Sequence, residues 1–198
     1  MRGAPFLTIG HSTRSLTAFI AFLCAQHVGV LADVRSVPRS RHNPQFAEAM
    51  LATALALVEI RYARLADLGG FRRPWSNSPN SAWRNASFRG YADYMLTDAF
   101  RVALDELIAL DRRGTVAVMC AEAVPWRCHR SLIADALLAR GIRVEEVVGT
   151  DTVRDHGLTP FAHVDGDRVL YPVHDVRPLQ QEKAMEGDAI QLRDALDR

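Results

Sequence analysis

Short apolar runs of strand length alternate along this chain with segments of helical period, and that alternation limits its fold more than any other feature. Phe6–Ile9, Val28–Val34, Arg61–Leu65, Thr115–Met119 and Ile142–Val148 read as strands. Between them, Ser15–Gln26 carries a stripe of Leu16, Phe19, Ile20, Phe22 and Leu23, with Ser15 as the expected N-cap. Phe46–Leu57 reads as a helix, Tyr91–Asp111 as one long helix stopped at Arg112-Arg113-Gly114, and Cys128–Ala139 as a helix ended by Gly141. Strand–helix alternation with short connections predicts an α/β fold: an open parallel sheet with helices on both faces, three layers in a Rossmann- or flavodoxin-like arrangement. Asp165-Gly166, between Phe161–Val164 and Arg168–Tyr171, predicts a small C-terminal hairpin. Residues 1–175 are expected to form this single domain. A charged tail over 176–198 is expected to be helical through Met185, Ala189, Leu192 and Leu196, docking on the domain or making a homodimer contact.

Composition narrows the function classes. No apolar run reaches the ~20 residues of a membrane span, so no membrane association is expected. The apolar stretch near the N-terminus is too short for a secretory signal, which points to the cytoplasm. The three cysteines, Cys24, Cys120 and Cys128, are too few and odd in number for a disulfide scaffold, so reduced thiols are expected. The net charge of +1 gives no general attraction to polyanions. Among the cations only Lys183 is a lysine; a GC-rich genome accounts for the arginine total but not for where the arginines stand. No glycine-rich Walker or Rossmann signature is present, which argues against a nucleoside triphosphatase or a dinucleotide dehydrogenase.

In open parallel sheets ligands bind beyond the carboxyl ends of the strands. That rule selects Gly10–Arg14, Asp33–Arg41, Leu68-Gly69-Gly70 with the Pro/Ser/Asn-rich loop from Phe71 to about Ala86, and Cys120–Arg130. These segments contain the ordered motifs TIGHS (Thr8–Ser12), DVRSVPRSR (Asp33–Arg41), LGG (Leu68–Gly70), YADYM (Tyr91–Met95) and CAEAVPWRCHR (Cys120–Arg130). In that order, from about Thr8 to Val148, the chain resembles the domain-of-unknown-function 488 family. The resemblance implies a fold and a site but names no substrate.

The Cys120 loop carries the most chemistry. A cysteine at a strand end, with a helix N-terminus and Arg127 and Arg130 close by, stands where an anion or a thiolate is favoured. The layout is similar to the cysteine loops of rhodaneses and cysteine phosphatases, although the six residues between Cys120 and Arg127 are one more than in the phosphatase motif. The main expectation is a cysteine-dependent enzyme acting on a small anionic or nucleotide-like substrate. Cys120 would be its nucleophile or redox centre, and Glu122 or His129 its acid and base. His11, Ser12, Asp33, Arg35, Arg39, Arg41, Arg127 and Arg130 would bind the anion; for Asp33 and Arg35 a structural pair is the nearer reading.

Two other readings stand beside this one, and the metal reading draws on the same loop. Arg72, Arg73, Arg84 and Arg89, interleaved with Phe71, Trp75, Trp83 and Phe88, suit a nucleic-acid-binding module whose cysteines are structural. Cys120, Cys128 and His129, with His11, supply zinc or iron donor types. The adjacent Cys128 and His129 are expected to point apart, and no cofactor is required by the sequence. Cys24, on the apolar stripe of the first helix, is expected to be buried and inert.

Overall fold

The computed structural model describes residues 4–39, 42–149 and 152–173. The apolar runs become β1 (Phe6–Gly10), β2 (Val28–Asp33), β3 (Arg61–Arg64), β4 (Thr115–Cys120) and β5 (Val144–Val148). These five pair in parallel in the order β3-β2-β4-β1-β5. Every residue of β1 is buried, as is all of β4 but its first. Strands covered on both faces read as continuous apolar runs because neither face meets water.

One face of the sheet packs against α1 (Leu16–Ala25) and α2 (Glu48–Ala56), through Phe19, Leu23, Leu51 and Leu55 on Leu7, Ile9, Leu31 and Met119. The other packs against α3 (Ala86–Tyr94), α4 (Asp98–Ala109) and α5 (Arg130–Ala139), through Tyr91, Phe100, Leu104, Ile133 and Leu137. This is the expected three-layer α/β architecture. From β1 the chain runs through α1 to one side of the sheet, and from β4 through α5 to the other. The carboxyl ends of β1 and β4 therefore flank the point where the winding reverses, which opens a crevice there.

Local chemistry corrects the expected elements in three places. The sheet is mixed, because β6 (Thr152–Asp155) adds an antiparallel edge strand beside β5. Its sequence, Thr-Val-Arg-Asp, is polar and mostly exposed, so it carries no apolar run to announce it. The long helix expected over 91–111 is two helices. Thr97 stands extended between them; its hydroxyl donates to Tyr94 O at 2.7 Å and accepts from Phe100 N at 3.2 Å, ending α3 and capping α4. Finally α3 begins at Ala86, where the expected loop ends and five residues before the expected helix start at Tyr91, because Asn85 caps it through Ser87 N at 2.8 Å. Ser15 caps α1 as expected. The hairpin forms as β7 (His163–Asp165) and β8 (Arg168–Leu170), with Gly166 in the left-handed region at φ 62°. The tail helix lies outside the described residues.

The loop from Phe71 to Asn85 is shaped by one buried carboxylate. Asp93 on α3 accepts from Trp75 N at 2.8 Å, Ser78 Oγ at 2.5 Å and Asn80 Nδ2 at 2.9 Å. Replacing Asp93 by alanine removes all three bonds. Hydrogen bonds to charged groups contribute roughly 1.5–3 kcal/mol each. Limited proteolysis of the loop in Asp93→Ala is expected to run at least about tenfold faster than in the wild type, while the cores under the sheet stay folded.

Candidate functional site

The end of β1 is bolted to the Cys120 loop by its backbone. His11 N donates to Cys120 O and Ser12 N to Ala121 O, each at 3.0 Å. Gly10 has no side chain because any Cβ there would run into the carbonyl oxygen of Glu122. Beyond β4 the chain folds back through a short turn at Pro125–Arg127, which returns Cys128 to the strand end that it left at Cys120. The two sulfurs end 2.7 Å apart, both cysteines being buried and free of a disulfide.

Three groups hold this pair. Arg130, at the start of α5 and wholly buried, donates from Nε to Cys120 Sγ at 3.0 Å and from Nη2 to Glu122 O at 2.6 Å. Glu122 N donates to Cys120 Sγ at 3.3 Å. On the other sulfur, Cys128 Sγ lies 3.5 Å from His129 Nδ1. The Nε2 of that imidazole is 3.2 Å from the carbonyl of Val34, which can only accept, so Nε2 carries the hydrogen and leaves Nδ1 as the base facing the thiol. Gly70 gives the imidazole room, since a Cβ there would stand 2.6 Å from His129 Nδ1. This contact and the Gly10 contact supply a physical reason for the LGG and TIGHS motifs.

The pair ionises as a unit. The hydrogen bond with Cys120 holds Cys128 well below the ordinary thiol value; burial opposes this, and His129 and Arg130 assist it. Burial, and then the same hydrogen bond, push Cys120 well above it, Arg130 only partly offsetting the rise. Of the two sulfurs Cys128 is therefore the one favoured to ionise, with Cys120 favoured to keep its hydrogen. The sequence reading puts the activated thiol at Cys120; these shifts favour ionisation at Cys128. Cys128 and His129 also face each other instead of pointing apart.

The pair opens onto a cavity of about 450 Å³. Seven expected site residues line it: Arg35, Arg39, Cys120, Glu122, Arg127, Cys128 and His129. Arg39 and Arg127 are exposed and, among the described residues, their guanidinium groups have no hydrogen-bonded or ion-paired partner. Ser36, Phe71, Ser87, Phe88 and Tyr91 complete the wall, and Phe71 is 82% exposed. Neither serine nor Tyr91 is a site residue on the sequence reading. Ser87 and Tyr91 belong to α3, and only the fold places that helix over the end of β4.

Other expected anion holders are committed elsewhere. Arg35 gives Nε and Nη2 to the buried Asp33, at 2.9 and 2.5 Å, and Nη1 to Phe46 O at 2.9 Å. It is the structural pair that the sequence suggests. His11 is stacked on Phe46, with ring centroids 4.2 Å apart, and is 2% exposed. Its Nδ1 donates to Ser12 O and its Nε2 lies 3.4 Å from Arg35 Nη1, while burial lowers its pKa. His11, Ser12, Asp33 and Arg130 support the wall of the cavity from behind and do not line it. Arg41 lies outside the described residues. Cys24 is exposed, not buried: α1 is apolar nearly all round, so its period does not reveal which side meets the core.

Among the described residues no group of three or more His, Cys, Asp or Glu side chains could hold a metal ion. Two thiolates on one zinc stand about 3.8 Å apart, given Zn–S bonds of ~2.3 Å, farther than Cys120 and Cys128. Within the arginine–aromatic loop, Trp83 packs on Phe88, Phe161 and Tyr171, and the Arg72 guanidinium lies 3.8 Å over the Tyr94 ring. Phe71 and Trp75 remain exposed. No helix among the described residues is long and apolar enough to cross a membrane.

No curated protein and no solved structure matches the chain. A family model does match, over residues 15–137, a span that holds β2, β3, β4, α1 to α4 and the whole Cys120 loop but stops short of TIGHS and Val148. Because that span is more than half of the 198 residues, the chain belongs to the family described as domain of unknown function DUF488.

Proposed function

We propose that this chain is a thiol-dependent enzyme whose nucleophile is Cys128 and whose substrate is a small anion with a flat or apolar portion. The observation that carries this reading is the pair of buried sulfurs 2.7 Å apart at the floor of an open cavity, with His129 Nδ1 beside Cys128 and Arg130 Nε on Cys120. Arg39 and Arg127 supply positive charge at the rim, and Phe71 and Phe88 supply an apolar wall. His129 Nδ1 takes the proton that the pair loses when Cys128 ionises, while the other proton stays with Cys120. The thiolate then bonds to the electrophilic atom of the substrate, and the leaving group departs with the electron pair and receives the proton from His129. Glu122, exposed at the cavity, is placed to move a proton during release. Arg130 acts as a positioning residue through Cys120.

The reduced protein tests this by alkylation followed site by site with mass spectrometry. Iodoacetamide is expected to modify Cys128 with a rate midpoint below the ordinary cysteine range of about 8–9. His129→Gln should raise that midpoint, which a merely structural histidine would not do. Iodoacetate should be favoured over iodoacetamide at Cys128 more than at the exposed Cys24, and replacing Arg39 and Arg127 by glutamine should erase the difference. A Cys128 that stays unmodified in the folded protein while Cys24 reacts, or that titrates above about 8.5, overturns the proposal.

A further inference from the structure

A single activated thiol accounts for one sulfur; the site holds two. Cys120 is placed as the partner of a covalent intermediate on Cys128. Its Sγ lies 2.7 Å from that of Cys128, and Arg130 Nε and Glu122 N already donate to it. Those donors would stabilise negative charge on Cys120 once Cys128 has given up its own to the substrate. Closing the two sulfurs to a bond of ~2.05 Å asks for a movement of about 0.7 Å.

We infer that the site is a thiol–disulfide exchange centre whose substrate is a small anionic disulfide, reduced by the Cys120–Cys128 pair. The inference rests on Cys128 being the nucleophile. The Cys128 thiolate attacks one sulfur of the substrate disulfide; a Cys128–substrate S–S bond forms, the substrate S–S bond breaks, and the first thiolate leaves. Cys120 then loses its proton to His129 or to the departing thiolate. Its sulfur attacks Cys128 Sγ, displacing the second thiolate and leaving a Cys120–Cys128 disulfide. Two electrons pass from the cysteine pair to the substrate, and an external dithiol reductant restores the pair. Arg39, Arg127 and Phe71 at the cavity select an anionic, flat disulfide over a neutral one.

The probe is bis(3-carboxy-4-nitrophenyl) disulfide, whose released aryl thiolate is coloured, used on reduced protein carrying Cys24→Ser so that only the pair responds. The expected result is release of two aryl thiolates per chain and a product lighter by two hydrogens, without attached aryl. Cys120→Ser should release one and stall as a mixed disulfide on Cys128; Cys128→Ser should lose the fast phase. Exchange with the neutral dipyridyl disulfide should be slower by at least about tenfold, and the glutamine variants at Arg39 and Arg127 should narrow that gap. A parent protein that stalls as the mixed disulfide, as Cys120→Ser does, overturns the inference while leaving Cys128 as nucleophile. Equal rates with the two disulfides overturn the anionic substrate class. Failure of Cys128 alkylation removes both readings.

Discussion

Replacing Arg35 by alanine is expected to destabilise the fold by about 3–5 kcal/mol, the cost of leaving a buried charge without its partner. Asp33 ends β2 with no exposed surface, and its carboxylate takes Arg35 N, Nε and Nη2 together with the Tyr62 hydroxyl at 2.6 Å. Taking away the guanidinium leaves the carboxylate with Arg35 N and Tyr62. It also frees Phe46 O, which Arg35 Nη1 occupies. Burial, and then the Asp33 carboxylate, push the Tyr62 pKa well up, so the phenol remains a neutral donor and cannot replace the lost cation. Urea denaturation of the wild type and Arg35→Ala measures the loss. Should the variant fail to fold, Asp33→Asn combined with Arg35→Met removes both charges and is expected to recover most of the stability. A loss below about 1 kcal/mol for Arg35→Ala would show that the pair is solvated and leaves Arg35 free for a ligand in the cavity. This test therefore separates scaffold from site within the DVR motif.

Stability is also expected to fall by about 3 kcal/mol between pH 6.5 and 9 through one histidine. His156 is buried between Asp135 on α5 and Glu146 on β5, with its ring nitrogens 2.9 and 2.7 Å from their carboxylates. Burial opposes its charge, but these two partners outweigh burial and raise its pKa from 6.5 to about 9. Its folded value thus lies above its unfolded one. The stabilisation is complete below pH 6.5 and is lost as pH rises through 9, each pKa unit being worth ~1.4 kcal/mol. Arg154 on β6 also pairs with Glu146, and the Tyr171 hydroxyl donates to Asp135, so neither carboxylate depends on His156 alone. Denaturant titrations from pH 6 to 10 on the wild type and His156→Gln isolate the contribution, because thiol ionisation is common to both proteins and cancels in the difference. The two curves should lie farthest apart near pH 6 and converge toward pH 10. A separation that does not change with pH would mean that His156 is neutral in the folded state.

These two clusters fasten the scaffold on either side of the cysteine pair. Asp33–Arg35 locks the end of β2 to the turn before α2. The His156 cluster ties α5, β5 and β6 together, with the strand β8 end joined through Tyr171. The Cys120 loop leaves β4 between them, so both its ends stand on rigid elements, as a reactive thiol pair requires.

Much of this was legible in the residues before any coordinates. Apolar runs of strand length separated by helical stripes imply the layered sheet, because a strand covered on both faces must be apolar throughout and a covering helix need be so on one side. Ser15 as a cap and Asp165-Gly166 as a turn are local signals, and both hold. The rule that ligands meet parallel sheets at strand carboxyl ends brings Cys120, His129, Arg39 and Arg127 to one cavity from scattered segments. Where a signal was weak, the expectation failed for a local reason. Thr97 breaks a helix that periodicity runs through, and the polar β6 has no pattern to detect.

Proton placement and side-chain commitment needed the tertiary structure. Composition shows that Arg35, Arg39 and Arg127 are all cations, but only the fold gives Arg35 a buried carboxylate and leaves the other two facing the cavity. Spacing shows Cys120 and Cys128 in one loop; the turn at Pro125 decides that their sulfurs meet, and their mutual hydrogen bond, burial, Arg130 and His129 favour ionisation at Cys128 over Cys120. The reason is one of range. Periodicity and capping depend on neighbours along the chain, whereas ionisation depends on every charge and dipole within several ångströms, most of them contributed by distant segments.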